Sequence, residues 1–150
     1  MPLEDHSVDE FLLSHVIEHV RNTLPLMQEL HRVAKPDAKA TIRVPYGGSD
    51  DAWEDPTHVR SYFQQSFGYF SQPNYWRADY GYRGDWQTER LYLVVSKQVY
   101  ADMDAGAILK DVIAKRNVVL EMVAGMRAVK PIRQPLRELQ VAPRIEFVLT

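Results

Sequence analysis

Residues 8–45 read VDEFLLSHVIEHVRNTLPLMQELHRVAKPDAKATIRVP, and this stretch decides the fold. Residues 8–14, VDEFLLS, are apolar toward their C-terminal end, as in a strand covered on both faces. Residues 15–20 follow as a short helical turn. Thr23 suits an N-cap, and Pro25 is tolerated in a first helical turn. Leu26, Met27, Leu30, Val33 and Ala34 then recur at helical spacing and form an apolar stripe. Lys35-Pro36-Asp37 ends this helix, because a proline disfavours helical geometry in the residue before it. Residues 38–44, AKATIRV, predict the next strand. Strand, helix and strand joined by short links form a βαβ unit, which requires a parallel pair and a right-handed crossover.

Beyond Pro45 the character changes. Residues 46–55 are rich in Gly, Ser and Asp and read as loop. Residues 64–70 predict one short helix, and 71–87 intersperse Tyr75, Trp76, Tyr80, Tyr82 and Trp86 with turn residues. Residues 89–100 contain LYLVVSKQVY and predict a strand. Residues 105–126 form the longest helical candidate, with Ile108, Leu109, Val112, Ile113, Val119, Leu120 and Val123 near one face. Residues 129–143, with three prolines and several arginines, read as an irregular connection. Residues 144–150, RIEFVLT, alternate with period two and predict a closing strand. There is no internal repeat and no low-complexity tract.

Composition sets the outer bounds. A chain of 150 residues, 45% apolar and 25% charged, fits one domain with a real core. A net charge of -2 gives no global attraction to nucleic acid or to an anionic membrane, and neither is expected as a partner. The absence of cysteine rules out disulfides, thiolate metal sites and thiol nucleophiles, and fits a reducing cytoplasm. No apolar run approaches the ~20 residues that span a bilayer, and the acidic start, residues 1–10, is unlike a signal peptide.

A series of motifs carries a resemblance. It comprises residues 2–9 (PLEDHSVD), 14–20 (SHVIEHV), 29–36 (ELHRVAKP), 40–45 (ATIRVP), 55–60 (DPTHVR) and 66–70 (SFGYF). In order and spacing it resembles the second half of class I S-adenosylmethionine-dependent methyltransferases of the type 11 kind, from the entry into their fourth strand onward. The resemblance implies an α/β fold in one domain: a partial Rossmann-like sheet of family strands 4-5-7-6, the last antiparallel, with helices and a loop-rich insertion. Asp37-Ala38 stands where the family usually has Gly-Gly, so Asp37 is expected to take a positive φ at some cost. The family's glycine-rich cofactor loop, and the acidic residue that binds the ribose, have no counterpart in this sequence. The expectation is a chain that begins halfway through the fold and exposes the strand-4 edge. A homodimer mate, or a chain supplying the N-terminal half, would cover that edge.

Candidate sites follow in part from residue chemistry. His15, Glu18 and His19 form H-x-x-E-H, whose two histidines at i and i+4 share a helix face and suit zinc, with Glu18 as a general base. His58 is a possible further ligand. The methyltransferase resemblance accounts for the same residues as the turn after strand 4, and no metal is assigned. The resemblance implies that Ser14 and His15 meet the cofactor, S-adenosylmethionine, at the carboxyl end of strand 4. It also implies that an acceptor, an unidentified small molecule, arrives at the segment after strand 5. There His58 suits a catalytic general base, and Arg60 suits a bidentate hold on an anion. Tyr46, Asp51, Trp53 and Asp55 complete the expected substrate-binding set, and an Asp-Arg or Asp-His pair fixing the loop is the structural alternative. The aromatics from Tyr62 to Trp86 read as core rather than as a stacking platform. Arg127, Lys130, Arg133 and Arg137 read as a solvated basic face. Two functions follow from the series: a methyltransferase that needs a mate to complete its cofactor site, or a non-catalytic remnant of that fold serving as a binding or assembly module.

Overall fold

The computed structural model describes residues 1–77, 80–134 and 141–150, with side chains described outside 75–77. Five strands form one sheet in the order β1-β2-β4-β3-β5. β1 is Val8–Ser14, β2 Ala34–Pro45, β3 Trp86–Val95, β4 Val119–Ala128 and β5 Arg144–Leu149. β1 runs parallel to β2, β4 runs antiparallel to both β2 and β3, and β3 runs parallel to β5. The helices are α1 (Thr23–Val33), α2 (Asp51–Glu54), α3 (Lys97–Tyr100) and α4 (Ala105–Ala114).

The βαβ unit expected from residues 8–44 is present as β1, α1 and β2. Met27, Leu30 and Val33 are buried on α1 as the apolar spacing requires. Thr23 is the first residue of the helix rather than its cap; Asn22 holds the cap position and makes no side-chain cap bond. Asp37 adopts φ 64°, the left-handed geometry that glycine usually supplies. Arg127 Nη1 donates to its carboxylate at 2.9 Å and helps hold it there.

Three expectations from local pattern are corrected. The helix expected over 105–126 stops at Ala114, and Val119, Leu120 and Val123 belong to β4. A short apolar run fits either a buried helix or a buried strand, and pairing with two neighbours decided for strand. The strand expected over 89–100 is β3, and Lys97–Tyr100 is the short helix α3. The basic stretch is not a solvated face. Arg133 makes four hydrogen bonds, from its backbone and guanidinium, to Asp85 and Gln87, and Asp85 is fully buried. Lys130 donates to the carbonyls of Ala34 and Arg32. Arg137 lies outside the described residues, as do the side chains of Tyr75 and Trp76.

β4 is the antiparallel strand of the sheet, so β1-β2-β4-β3 is the expected 4-5-7-6 order. The closing strand expected over 144–150 is β5, which lies beyond this order and runs parallel to β3, so the antiparallel strand is β4 instead. The register explains the core. Ile42, Ala124 and Leu91 lie side by side across β2, β4 and β3, as do Val44, Met122 and Leu93, and all six are fully buried. The aromatics read as core are mostly core: Trp86, Tyr62, Phe67, Phe70 and Tyr82 are among the most buried side chains, whereas Tyr80 is exposed. Trp86 Nε1 donates to the Met27 carbonyl at 3.0 Å, which satisfies its only polar atom. Among the described residues β1 pairs only with β2, and Leu12 on it is 75% exposed. No helix among the described residues is long and apolar enough to cross a membrane.

Candidate functional site

The carboxyl end of β1 and the segment after β2 converge. After Ser14, which is exposed, the chain turns sharply at His15, held at φ 53°. The His15 amide donates to the Arg43 carbonyl at 2.9 Å and fixes the turn against β2. A single 3-10 turn, Ile17–His19, then brings Glu18 inward and leaves His19 at the rim. The Val59 amide donates to the Glu18 carbonyl at 2.9 Å, stitching the loop after β2 onto this turn.

Around that junction the side chains form a connected group. His15 Nε2 lies 2.9 Å from Glu121 Oε1, and Arg43 donates to the other Glu121 oxygen at 3.1 Å. His15 Nδ1 lies 3.4 Å from Glu18 Oε1. His19 Nδ1 lies 3.2 Å from the Thr57 carbonyl and 3.0 Å from its hydroxyl, and the two imidazoles of His19 and His58 meet edge to face at 4.8 Å. The Thr57 hydroxyl and amide both donate to Asp55 Oδ1. These bonds hold the Asp55 carboxyl below the usual carboxylate range, with the nearby His58 and His19 adding to the effect. His58 Nδ1 lies 3.3 Å from the Ala52 carbonyl and its Nε2 3.6 Å from Asp55 Oδ2.

Of the residues expected to act, folding brings His15, Asp55 and His58 into this group, with Ser14 at its edge. Trp53 stands apart: its indole donates to the Gly47 carbonyl at 2.8 Å and its ring is exposed. Asp51 lies on the same short helix, α2, and is exposed. Arg60 is exposed and reaches over the Tyr62 ring at 5.6 Å. Tyr46 is buried, its amide bonded to the Leu120 carbonyl, and burial pushes its hydroxyl pKa up. Sequence reasoning missed Glu121 and Thr57. Glu121 was hidden in a run read as helix; period-two burial along β4 is the signal that would have found it. A cavity of about 500 Å³ lies elsewhere, lined by Gln64, Tyr69, Gln87, Thr88 and Ile145 among others, and contains none of the expected site residues.

Comparison with known proteins places the fold. The family model described as a methyltransferase domain matches residues 1–42. No curated protein matches the sequence. Among solved structures, a SAM-dependent methyltransferase from Archaeoglobus fulgidus aligns with TM-score 0.54 and 15% identity, over 83% of this chain and 61% of that one. The YcgJ protein of Bacillus subtilis aligns with TM-score 0.52 and 13% identity, over 86% of this chain and 67% of that one. A methyltransferase from Haloferax volcanii, solved in complex with the Trm112 methyltransferase activator, aligns with TM-score 0.54 and 11% identity, over 89% of this chain and 59% of its own. The chain thus spans about three fifths to two thirds of the length of these structures. Over its first 42 residues the chain is similar to a methyltransferase domain, and the likeness to these solved structures shows a methyltransferase-like fold.

Proposed function

We propose that this chain forms the acceptor side of an S-adenosylmethionine-dependent methyltransferase. The observation that carries this reading is the convergence of His15, Asp55 and His58 at the carboxyl end of β1, the edge where doubly wound sheets receive ligands. S-adenosylmethionine supplies an electrophilic methyl group when bound. The described residues fit one end of it and no more. Ser14 is exposed at that edge, while the His15 amide is bonded to the Arg43 carbonyl and its ring is tied to Glu121. Neither a glycine-rich loop nor a ribose-binding acid is found among the described residues.

The rest of the cofactor's surroundings would come from whatever pairs with the free side of β1: a further segment, a second copy or a partner chain. The exposed Leu12 on that strand supports such a covering. On the acceptor side the chain's own residues bind and orient. Arg60 is free to meet an anionic group, Trp53 offers a flat apolar surface, and Asp51 and Asp55 offer acceptors. Tyr46 holds the loop through its carbonyl, which accepts from the Ser49 amide and hydroxyl. Nε2 of His58, the ring nitrogen not facing Ala52, can hold a proton drawn from a hydroxyl or amine.

Calorimetric titration with S-adenosylmethionine and with its demethylated product tests the reading. Binding, by the chain alone or after a candidate covering half is added, supports it. No binding under either condition rejects it and leaves the second reading, a non-catalytic assembly module.

A further inference from the structure

Glu18 is only 2% exposed, and neither of its carboxylate oxygens has a hydrogen-bond partner among the described residues. A buried carboxylate without partners is costly, and such a group usually has a counter-charge to face. What faces Glu18 is a set of imidazoles whose far nitrogens are already committed. His15 Nε2 is held by the Glu121 carboxylate at 2.9 Å. The Thr57 hydroxyl donates its proton to Asp55 at 2.6 Å, so toward His19 it can only accept, as can the Thr57 carbonyl. The proton of a neutral His19 therefore sits on Nδ1. The Ala52 carbonyl, at 3.3 Å and nearer than the Asp55 carboxylate that lies 3.6 Å from Nε2, places the proton of a neutral His58 on Nδ1. In these neutral forms the lone pair lies on Nε2 of His19 and of His58. His19 Nε2 lies 3.9 Å from Glu18 Oε1. One ligand atom from each of Glu18, His19 and His58 lies within 4.8 Å of the other two.

A buried carboxylate and imidazole lone pairs this close together repel one another unless a cation sits between them. We propose that Glu18, His19 and His58 bind a divalent transition-metal ion of the zinc class. Two imidazoles and one carboxylate suit zinc, cobalt, iron or manganese better than magnesium or calcium, which prefer oxygen alone. Carbonyl-anchored imidazoles are the usual outer support of such ions, since they fix both tautomer and ring orientation. With bonds of about 2.0–2.2 Å, a tetrahedral ion holds its ligand atoms about 3.4 Å apart. The present spacing closes to that value by side-chain movement of about an ångström, and His19, at the rim, has room to supply it. Three protein ligands leave a fourth position for water or for an oxygen of the acceptor. His58 would then serve as a ligand in the metal-loaded chain rather than as a base.

The 150-residue chain, stripped with a chelator, is titrated with zinc by calorimetry and with cobalt(II) by visible absorption. Neither measurement requires cofactor or acceptor, so ion binding and methyl transfer stand or fall separately. The expected result is one ion per chain, with a cobalt ligand-field band typical of tetrahedral nitrogen and oxygen donors. Glu18→Gln and His58→Ala should each weaken zinc binding by about a hundredfold or more. His6→Ala, on a histidine paired with Lys130, should leave it unchanged. Circular dichroism of Glu18→Gln, in which a neutral side chain of the same shape replaces a buried charge, checks that the fold survives. The proposal is overturned by three results: no saturable binding to the wild-type chain, equal affinity in Glu18→Gln and His58→Ala, or loss of binding in His6→Ala.

Discussion

The Thr57 carbonyl and hydroxyl both lie against Nδ1 of His19, at 3.2 and 3.0 Å, and so turn the opposite face of that ring toward the buried Glu18. One threonine thereby orients a histidine 38 residues away and, through its hydroxyl, also holds Asp55 in its charged form. Removing that hydroxyl should be felt at both. In Thr57→Val the Asp55 pKa is expected to rise toward the ordinary carboxylate value, because the strongest bond favouring its charged form is gone. Carboxyl-detected NMR titration of Asp55 measures this directly; an unmoved Asp55 would remove Thr57 as the cause.

Glu18→Gln should stabilise the metal-free chain. The buried carboxylate has no hydrogen bond to lose, and the new amide can donate to the lone pairs of His15 and His19 that already face it. A gain of about 1–3 kcal/mol is expected from relieving an unpartnered buried charge. Urea unfolding in the presence of chelator gives the value. A loss of stability would remove the unpartnered Glu18 carboxylate as a cost to the fold.

Arg133→Ala should be among the most damaging single changes outside the β-sheet core. It leaves Asp85, fully buried, without the guanidinium that donates to both of its oxygens. Breaking such a pair typically costs about 3–5 kcal/mol, and the partial exposure of Arg133 points to the lower end of that range. Thermal unfolding of the variant checks it, and a change within experimental error would make the pair ornamental.

His31 confers a pH dependence of known sign. It is buried beneath Trp86 with Nε2 at 2.9 Å from the Val129 carbonyl, and burial depresses its pKa below the ordinary imidazole value. The neutral ring is favoured in the folded state, so the unfolded chain takes up its proton first as pH falls. The contribution is complete above the unfolded value of about 6.5 and is lost as pH falls from there through the folded value. Unfolding free energies measured between pH 7.5 and 5 should decline for the wild type and decline less for His31→Asn. Equal slopes would clear His31 of the effect.

The first 45 residues were legible because local rules agreed with one another. The helical spacing of Met27, Leu30 and Val33, the break at Pro36 and the apolar end of β1 all pointed to one βαβ unit, and its short links left few topologies. Even the backbone strain at Asp37 was foreseeable, since only its position in the turn mattered. The segment 105–128 was not legible. Ile108 and Val112 do follow a helical face, but Val119 onward is a strand because β2 and β3 offer it hydrogen bonds on both sides. Pairing with strands roughly eighty and thirty-five residues away leaves no mark on local periodicity.

The same division holds for the site. The sequence by itself determined which chemical groups were available: H-x-x-E-H on one turn, and an Asp and a His three residues apart on a later loop. Only the tertiary structure decided that Glu18 would be buried with no hydrogen-bond partner among the described residues, that Glu121 would arrive from β4 to hold His15, and that Thr57 and Ala52 would set the tautomers of His19 and His58. A side chain's neighbours along the chain are fixed by synthesis. Its solvation, and the direction of its lone pairs, are fixed by segments that meet it only on folding.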